Sequence, residues 1–204
     1  MFYRYEDGHR LPHDPLKAIV APRPIGWISS RSREGKINLA PYSFFNMIST
    51  RPCLIMFSSE GHKDSVAFIE ETREFAANLV SANLSVAMNA TSVNAPRGVS
   101  EFEYSGLTPV DCTLIAAPRV AEAFATLECV VTEIHKPKDR HGNPVSAIMV
   151  IGEVVGVHID ETILTNGLVD MTKAQPVSRL GYMDFASVSE TFQMFRPKWE
   201  ESGR

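Results

Sequence analysis

Cysteine is scarce, and the three present, Cys53, Cys112 and Cys129, form an odd set without a CxxC pair. A disulfide framework and a cysteine-pair zinc site are both poor fits, and the pattern suits a reducing compartment. Each cysteine lies among apolar neighbours, so small structural core residues are expected rather than catalytic thiols. Long hydrophobic runs are missing too. The stretch Ala147 to Ile151 is interrupted by Gly152 and Glu153, far short of the ~20 residues a membrane-crossing helix needs. The first residues lack the basic-then-apolar layout of a secretion signal, and the expected location is the cytoplasm.

Several motifs are absent as well. There is no GxxxxGK[ST] loop and no GxGxxG after a strand, which disfavours nucleoside triphosphate and Rossmann dinucleotide sites. The absence of a GxSxG elbow disfavours a serine hydrolase, and the absence of HExxH disfavours a zincin. His9 and His13 are four apart, but Pro12 between them argues against a metal-binding helix face, so no metal is expected. Nor is there an excess of positive charge: the formal net charge is −4, which makes nucleic acid or an anionic membrane an improbable partner.

What is present looks like an ordinary globular chain. At 204 residues, 44% hydrophobic and 22% charged, with no repeat, low-complexity tract or linker, residues 1–204 read as one domain. Charge is unevenly placed, however: residues 17–63 carry seven cations against two anions. Such a zone in an acidic protein suits one compact phosphate better than a long polymer, and scattered solvated charge would look the same.

Strand patterns dominate. β-Branched and apolar runs between Pro, Gly, Asn and Ser clusters predict strands at Ala18–Val20, Ile25–Ser30, Ile37–Pro41, Leu54–Ser58, Phe75–Val80, Thr113–Ala117, Ala125–His135 and Ser146–His158. Asp139 to Pro144 predicts a hairpin turn between the last two, and Gly152 and Gly156 predict a bulge or a bend. Short helices are expected at Lys63–Glu71, with Asp64 and Ser65 capping its start, at Ser81–Ala90, and through Glu161–Asn166. The expected fold is mainly β, a closed or nearly closed barrel with a few short peripheral helices.

Two segments carry the chemical signal. Pro22-Arg-Pro-Ile-Gly-Trp-Ile-Ser-Ser30 leads through a charged turn into Asn38-Leu-Ala-Pro-Tyr-Ser-Phe-Phe-Asn46, where Asn38, Ser43 and Asn46 lie among aromatic residues. A ligand with one flat apolar end and one anionic end suits this mixture, although a strand, a turn and its packing aromatics would account for it equally. Lys63-Asp64-Ser65 adds a cation and a hydroxyl at an expected helix start, where unpaired amides favour phosphate.

With Glu101-Phe, Ser105-Gly-Leu-Thr, Leu127-Glu-Cys, Ile151-Gly-Glu-Val and Arg179-Leu-Gly-Tyr182, these blocks resemble, in order, the flavin reductase-like, FMN-binding split-barrel proteins. The resemblance covers roughly Pro15 to Tyr182 and implies a Greek-key split β-barrel. It further implies a homodimer with one non-covalent FMN per subunit near the dimer interface, reduced by NADH or NADPH. By the same resemblance Ser29, Ser30, Asn38, Leu39, Ala40 and Ser43 would contact the ribityl chain, phosphate or ring edge. Lys63, Asp64 and Ser65 would form the phosphate site, and Asn46 and the backbone around Tyr42 would face the ring. Arg179 and Tyr182 would close over the pocket from a later segment, within the subunit or across the dimer. The implied activity is that of an NAD(P)H-dependent flavin reductase, with a partner oxygenase as one recipient of reduced flavin. Hydride chemistry on the flavin needs no protein acid or base, so the same residues would equally serve an electron-transfer flavoprotein or a non-enzymatic flavin-binding module.

Overall fold

Alternation of valine, isoleucine and aromatic residues with polar ones produces strands whose two faces bury different things. The computed structural model describes residues 1–96 and 99–199. In chain order the strands are β1 (Arg23–Pro24), β2 (Gly26–Arg31), β3 (Ile37–Tyr42), β4 (Phe45–Thr50), β5 (Cys53–Glu60), β6 (Glu74–Leu79), β7 (Pro109–Asp111), β8 (Pro118–Val120), β9 (Ala125–His135), β10 (Ala147–Ile159), β11 (Leu164–Thr165), β12 (Leu168–Val169), β13 (Val177–Arg179) and β14 (Phe185–Ser187). The α-helices are α1 (Leu16–Ile19), α2 (Asp64–Thr72), α3 (Ser85–Ala90), α4 (Glu101–Ser105) and α5 (Met171–Ala174).

Seven strands form one antiparallel sheet in the order β3-β2-β6-β9-β10-β5-β4, curled into the half-barrel of a split-barrel fold. Its concave core holds Ile28, Phe45, Phe57, Phe75 and Val150. On the other side of β2, Trp27 packs with Leu39, Phe102 and Val120, and its indole N–H donates to Thr91 at 2.8 Å. Burying a side chain of this size contributes about 1.5–3 kcal/mol, so β2, buried on both faces, anchors the sheet. Gly26 is required there because the Phe45 ring lies over it: a Cβ would sit 2.4 Å from Phe45 Cδ2.

The long strands follow the sequence pattern. β9 and β10 pair as a hairpin, with register shifts at Ile151/Gly152 and at Val154/Gly156 where the glycines predicted a bulge or a bend. Elsewhere the structure corrects expectation. Ala18–Val20 is not a strand: Ala18 and Ile19 belong to α1, a single turn after Pro15 that Arg23 pins by donating to the Lys17 and Val20 carbonyls. Thr113–Ala117 is an irregular loop, because its amides bond carboxylates instead of a neighbouring strand: Thr113 and Leu114 donate to Glu128, and Ala116 donates to Glu74. Phe45–Thr50, not predicted, is an edge strand paired with β5. Only Glu161–Ile163 of the third expected helix is helical, as a 3₁₀ turn leading into β11. The cap of α2 is Lys63, in extended conformation, so Asp64 and Ser65 are its first two helical residues. Among the described residues, no helix is long and apolar enough to cross a membrane.

A small second sheet, β1-β13-β14, brings the late segment back to the front of the chain, with Arg23 opposite Arg179. This pairing puts two distant sequence blocks beside the same cavity.

Candidate functional site

β3 delivers Asn38, Ala40 and Tyr42 to one rim of the sheet, and the turn after it delivers Ser43 and Phe44. Three neighbouring cavities of about 320, 200 and 330 Å3 open there, and Pro41 borders all of them. In the first, Lys17, Arg23, Lys63 and Arg179 face the apolar surfaces of Pro41, Tyr42 and Phe44. The second is lined by Asn38, Ala40, Lys63, Asp64, Ser65 and Glu101, among others. Three of the seven cations in the basic zone read from the sequence, Lys17, Arg23 and Lys63, thus converge here, whereas Arg31 pairs with Asp111 at 3.4 Å and Lys36 with Glu34 at 3.2 Å.

The late segment comes from the same chain. Arg179 and Tyr182 line the first cavity, and Arg179 donates to the Tyr182 carbonyl at 2.5 Å while its guanidinium lies 4.3 Å from the Phe185 ring centre. Close approach depends on Gly181, where a Cβ would stand 2.6 Å from the Cα of Ala18 in α1. Arg23, buried, donates to the Leu180 carbonyl at 2.8 Å and ties α1 and the late segment together. Burial, and then the nearby charge of Arg179, hold its pKa below the usual arginine value.

A polar chain lies beneath the second cavity. Glu101 Oε2 accepts from Asn38 Nδ2 at 3.0 Å and from the Leu39 amide at 2.9 Å, and Asn38 Oδ1 accepts from Ser65 Oγ at 2.5 Å. Ser65 is 1% exposed, so its only hydroxyl proton is directed at Asn38. Burial raises the Glu101 pKa above the ordinary carboxylate value, opposed by the bonds from Leu39 and Asn38. Burial likewise raises the Tyr42 phenol. Glu101 had appeared in the sequence only as part of a resembling block. Its partners stand more than sixty residues away, and no local pattern signals such a pairing.

The remaining expected residues are placed differently. Ser29 is fully buried, donating to the Pro118 carbonyl and accepting from Asn78 at 3.0 Å. Ser30 and Leu39 are also fully buried, Leu39 within the core beside Trp27. None of these three lines the cavities around Pro41. Asn46 borders a separate apolar groove of about 730 Å3 with Phe44, Met56 and Met149, which adjoins the first cavity through Arg23, Ser43, Phe44 and Ser58.

A curled antiparallel half-barrel with a donor-rich, aromatic-walled cavity on its rim places the chain among the split-barrel proteins. The flavin reductase-like domain model matches residues 20–177, and the chain belongs to that family. An uncharacterized protein of Aquifex aeolicus is 36% identical over 181 residues, covering 86% of this chain and 88% of the relative. Among solved structures, nitrilotriacetate monooxygenase component B from Bacillus cereus has a TM-score of 0.82 at 29% identity, covering 92% of this chain and 100% of the other. The 2-nitrobenzoate 2-nitroreductase of Pseudomonas fluorescens gives a TM-score of 0.80 at 27% identity, covering 90% of this chain and 89% of the other. Its structural neighbours thus include a protein named as a monooxygenase component and one named as a nitroreductase, and the family that the chain belongs to is described as flavin reductase-like.

Proposed function

We propose that the chain is a cytoplasmic, homodimeric FMN-dependent oxidoreductase, working as an NAD(P)H:flavin reductase. The observation that supports this most is the cavity in which Lys17, Arg23, Lys63 and Arg179 face Pro41, Tyr42 and Phe44. Cations lining one cavity together with flat apolar surfaces suit a planar ring bearing a phosphate.

In this reading Lys63 and the first-turn amides of α2 hold the phosphate, with Asp64 and Ser65 shaping that turn. Asn38, Ala40 and Ser43 meet the polar chain and ring edge, and Tyr42 backs the ring. Ser29 and Ser30 support the strand behind, and Leu39 contributes through its backbone. Arg179 and Tyr182 cover the cavity mouth and exclude water, and Asn46 serves from the adjoining groove. When bound, FMN supplies the hydride chemistry, accepting two electrons from NADH or NADPH. No side chain has to move a proton in the cavity, which agrees with the lack of any recognisable acid–base pair in the sequence. Glu101 acts at one remove by fixing the Asn38 amide. The Bacillus cereus neighbour is named as a monooxygenase component, and this supports a partner oxygenase as recipient of reduced flavin.

The test is anaerobic addition of NADH and NADPH to FMN-loaded protein. Rapid bleaching of the flavin absorbance is expected with at least one of them. Protein that holds FMN and is reduced by dithionite, yet is bleached by neither nucleotide, overturns the reductase reading in favour of an electron carrier or flavin-binding module.

A further inference from the structure

Away from the flavin cavities, the fold brings together three ligand-type side chains that are far apart in sequence. Cys112 follows β7, Glu128 lies in β9 and His158 in β10, and their sulfur, oxygen and nitrogen atoms lie within 4.8 Å of one another. Glu128 is fully buried, and its carboxylate is fixed by the amides of Thr113 and Leu114, each at 2.7 Å. His158 Nε2 stands 2.5 Å from Glu128 Oε1 with the ring partly exposed.

The local backbone shapes this pocket. The register shift between Val154 and Gly156 displaces β10 against β9, and Glu128 pairs with Gly156. A Cβ on Gly156 would lie 3.3 Å from the Glu128 carboxylate carbon, so the missing side chain leaves room for the carboxylate. Bulges that re-aim a side chain are frequent beside functional sites. Outside the cluster, Arg119, Asp111 and Arg31 are the charged groups that act electrostatically on Cys112.

We propose that Cys112, Glu128 and His158 form a binding site for a borderline divalent cation of the zinc type, with a fourth position reached by water past the exposed edge of His158. Thiolate, imidazole and carboxylate are the donor set such an ion prefers. At usual zinc–ligand lengths, tetrahedral nitrogen and oxygen ligands stand about 3.3 Å apart, a small opening from the present contact. Loading sends the Cys112 thiol proton to solvent and leaves the His158 proton on Nδ1. The amides holding Glu128 act as the outer support such sites need. Residues 16 and 30 positions apart on different elements leave no spacing motif, which is why the sequence predicted no metal.

The test uses tag-free full-length protein, stripped with a chelator and titrated with Co2+, then Zn2+, with difference spectra against the stripped sample. One equivalent of Co2+ should produce a thiolate-to-cobalt charge-transfer band that Zn2+ abolishes. Cys112→Ser should remove the band, and His158→Gln, which removes a direct ligand, should weaken affinity by more than the roughly 10–100-fold typical of losing an outer support, both with unchanged FMN binding and circular dichroism. In wild-type protein Zn2+ should slow alkylation of Cys112, mapped by mass spectrometry, which keeps the site testable if Cys112→Ser does not fold. No band at one equivalent, a band that survives Cys112→Ser, or alkylation unchanged by Zn2+ would each overturn the site. None of these readouts depends on nicotinamide oxidation.

Discussion

Lys63 and Glu101 both line the second cavity, and their substitutions should report different things. A charge-assisted bond to phosphate is worth about 1.5–3 kcal/mol, so Lys63→Ala should weaken FMN by that amount and riboflavin little. Side-by-side titrations by flavin fluorescence check this, and an equal loss for both ligands would count against a phosphate role. For Glu101, burial holds the folded pKa above the ordinary 4.5, so folding favours its neutral form. Its contribution to stability is complete below 4.5 and is lost as pH rises through the raised value. Glu101→Gln keeps an acceptor for Asn38 and Leu39 but cannot ionise, and its stability should fall less than that of the wild type just above that pH. Denaturant midpoints across that window measure the difference, and parallel curves would refute it. These two residues also mark what could be read in advance. Lys63 stood in a local motif with a helix start behind it, whereas the bonds of Glu101 to Asn38 and Leu39 exist only once α4 has packed on β3.

At the level of elements, the strands that alternate or run long in valine and isoleucine were legible, β9 to the residue. The errors share a cause. Thr113 to Ala117 has the composition of a strand, but its amides are captured by carboxylates on β9 and β6, a tertiary choice invisible to local pattern. Phe45 to Thr50 reads as the end of a motif, yet β5 offers it a partner across a two-residue turn. Contact between α1 and the late segment was equally hidden, although it governs the cavity. Gly181→Ala would place a methyl 2.3 Å from Ala18 Cβ, and the two backbones must separate. Overpacking of this kind costs about 1–3 kcal/mol. Lower thermal stability together with faster FMN loss on dilution is expected, and unchanged retention would show that the cover is not positioned by this contact.

For the whole molecule, the exposed apolar surface asks for a covering. Phe45 is taken up by its own core, but Met47, Phe192, Met194 and Phe195 remain largely exposed, and Phe44 partly so. Exposed apolar surface of this kind, with Phe44 also lining the 730 Å3 groove, suits a two-fold partner. Light scattering at micromolar concentration should give about twice 22.6 kDa. Truncation after Val188, which spares β14, should weaken both association and FMN retention. A monomer holding FMN in full stoichiometry would refute the shared cover.

The pairing of Arg23 with Arg179 carries one more consequence. It joins positions near the two ends of the described chain through strands of two and three residues, while β9 and β10 are held along 11 and 13. Local opening is easiest where few bonds must break, so the cavity cover can detach while the half-barrel stays intact. Amide hydrogens of Val177 to Arg179 should exchange well before those of Cys129 to Val131, and bound FMN should slow the first group selectively. The chain would then release its flavin by a local fraying of its own fold, with exchange rates reporting the lifetime of the cofactor on the protein.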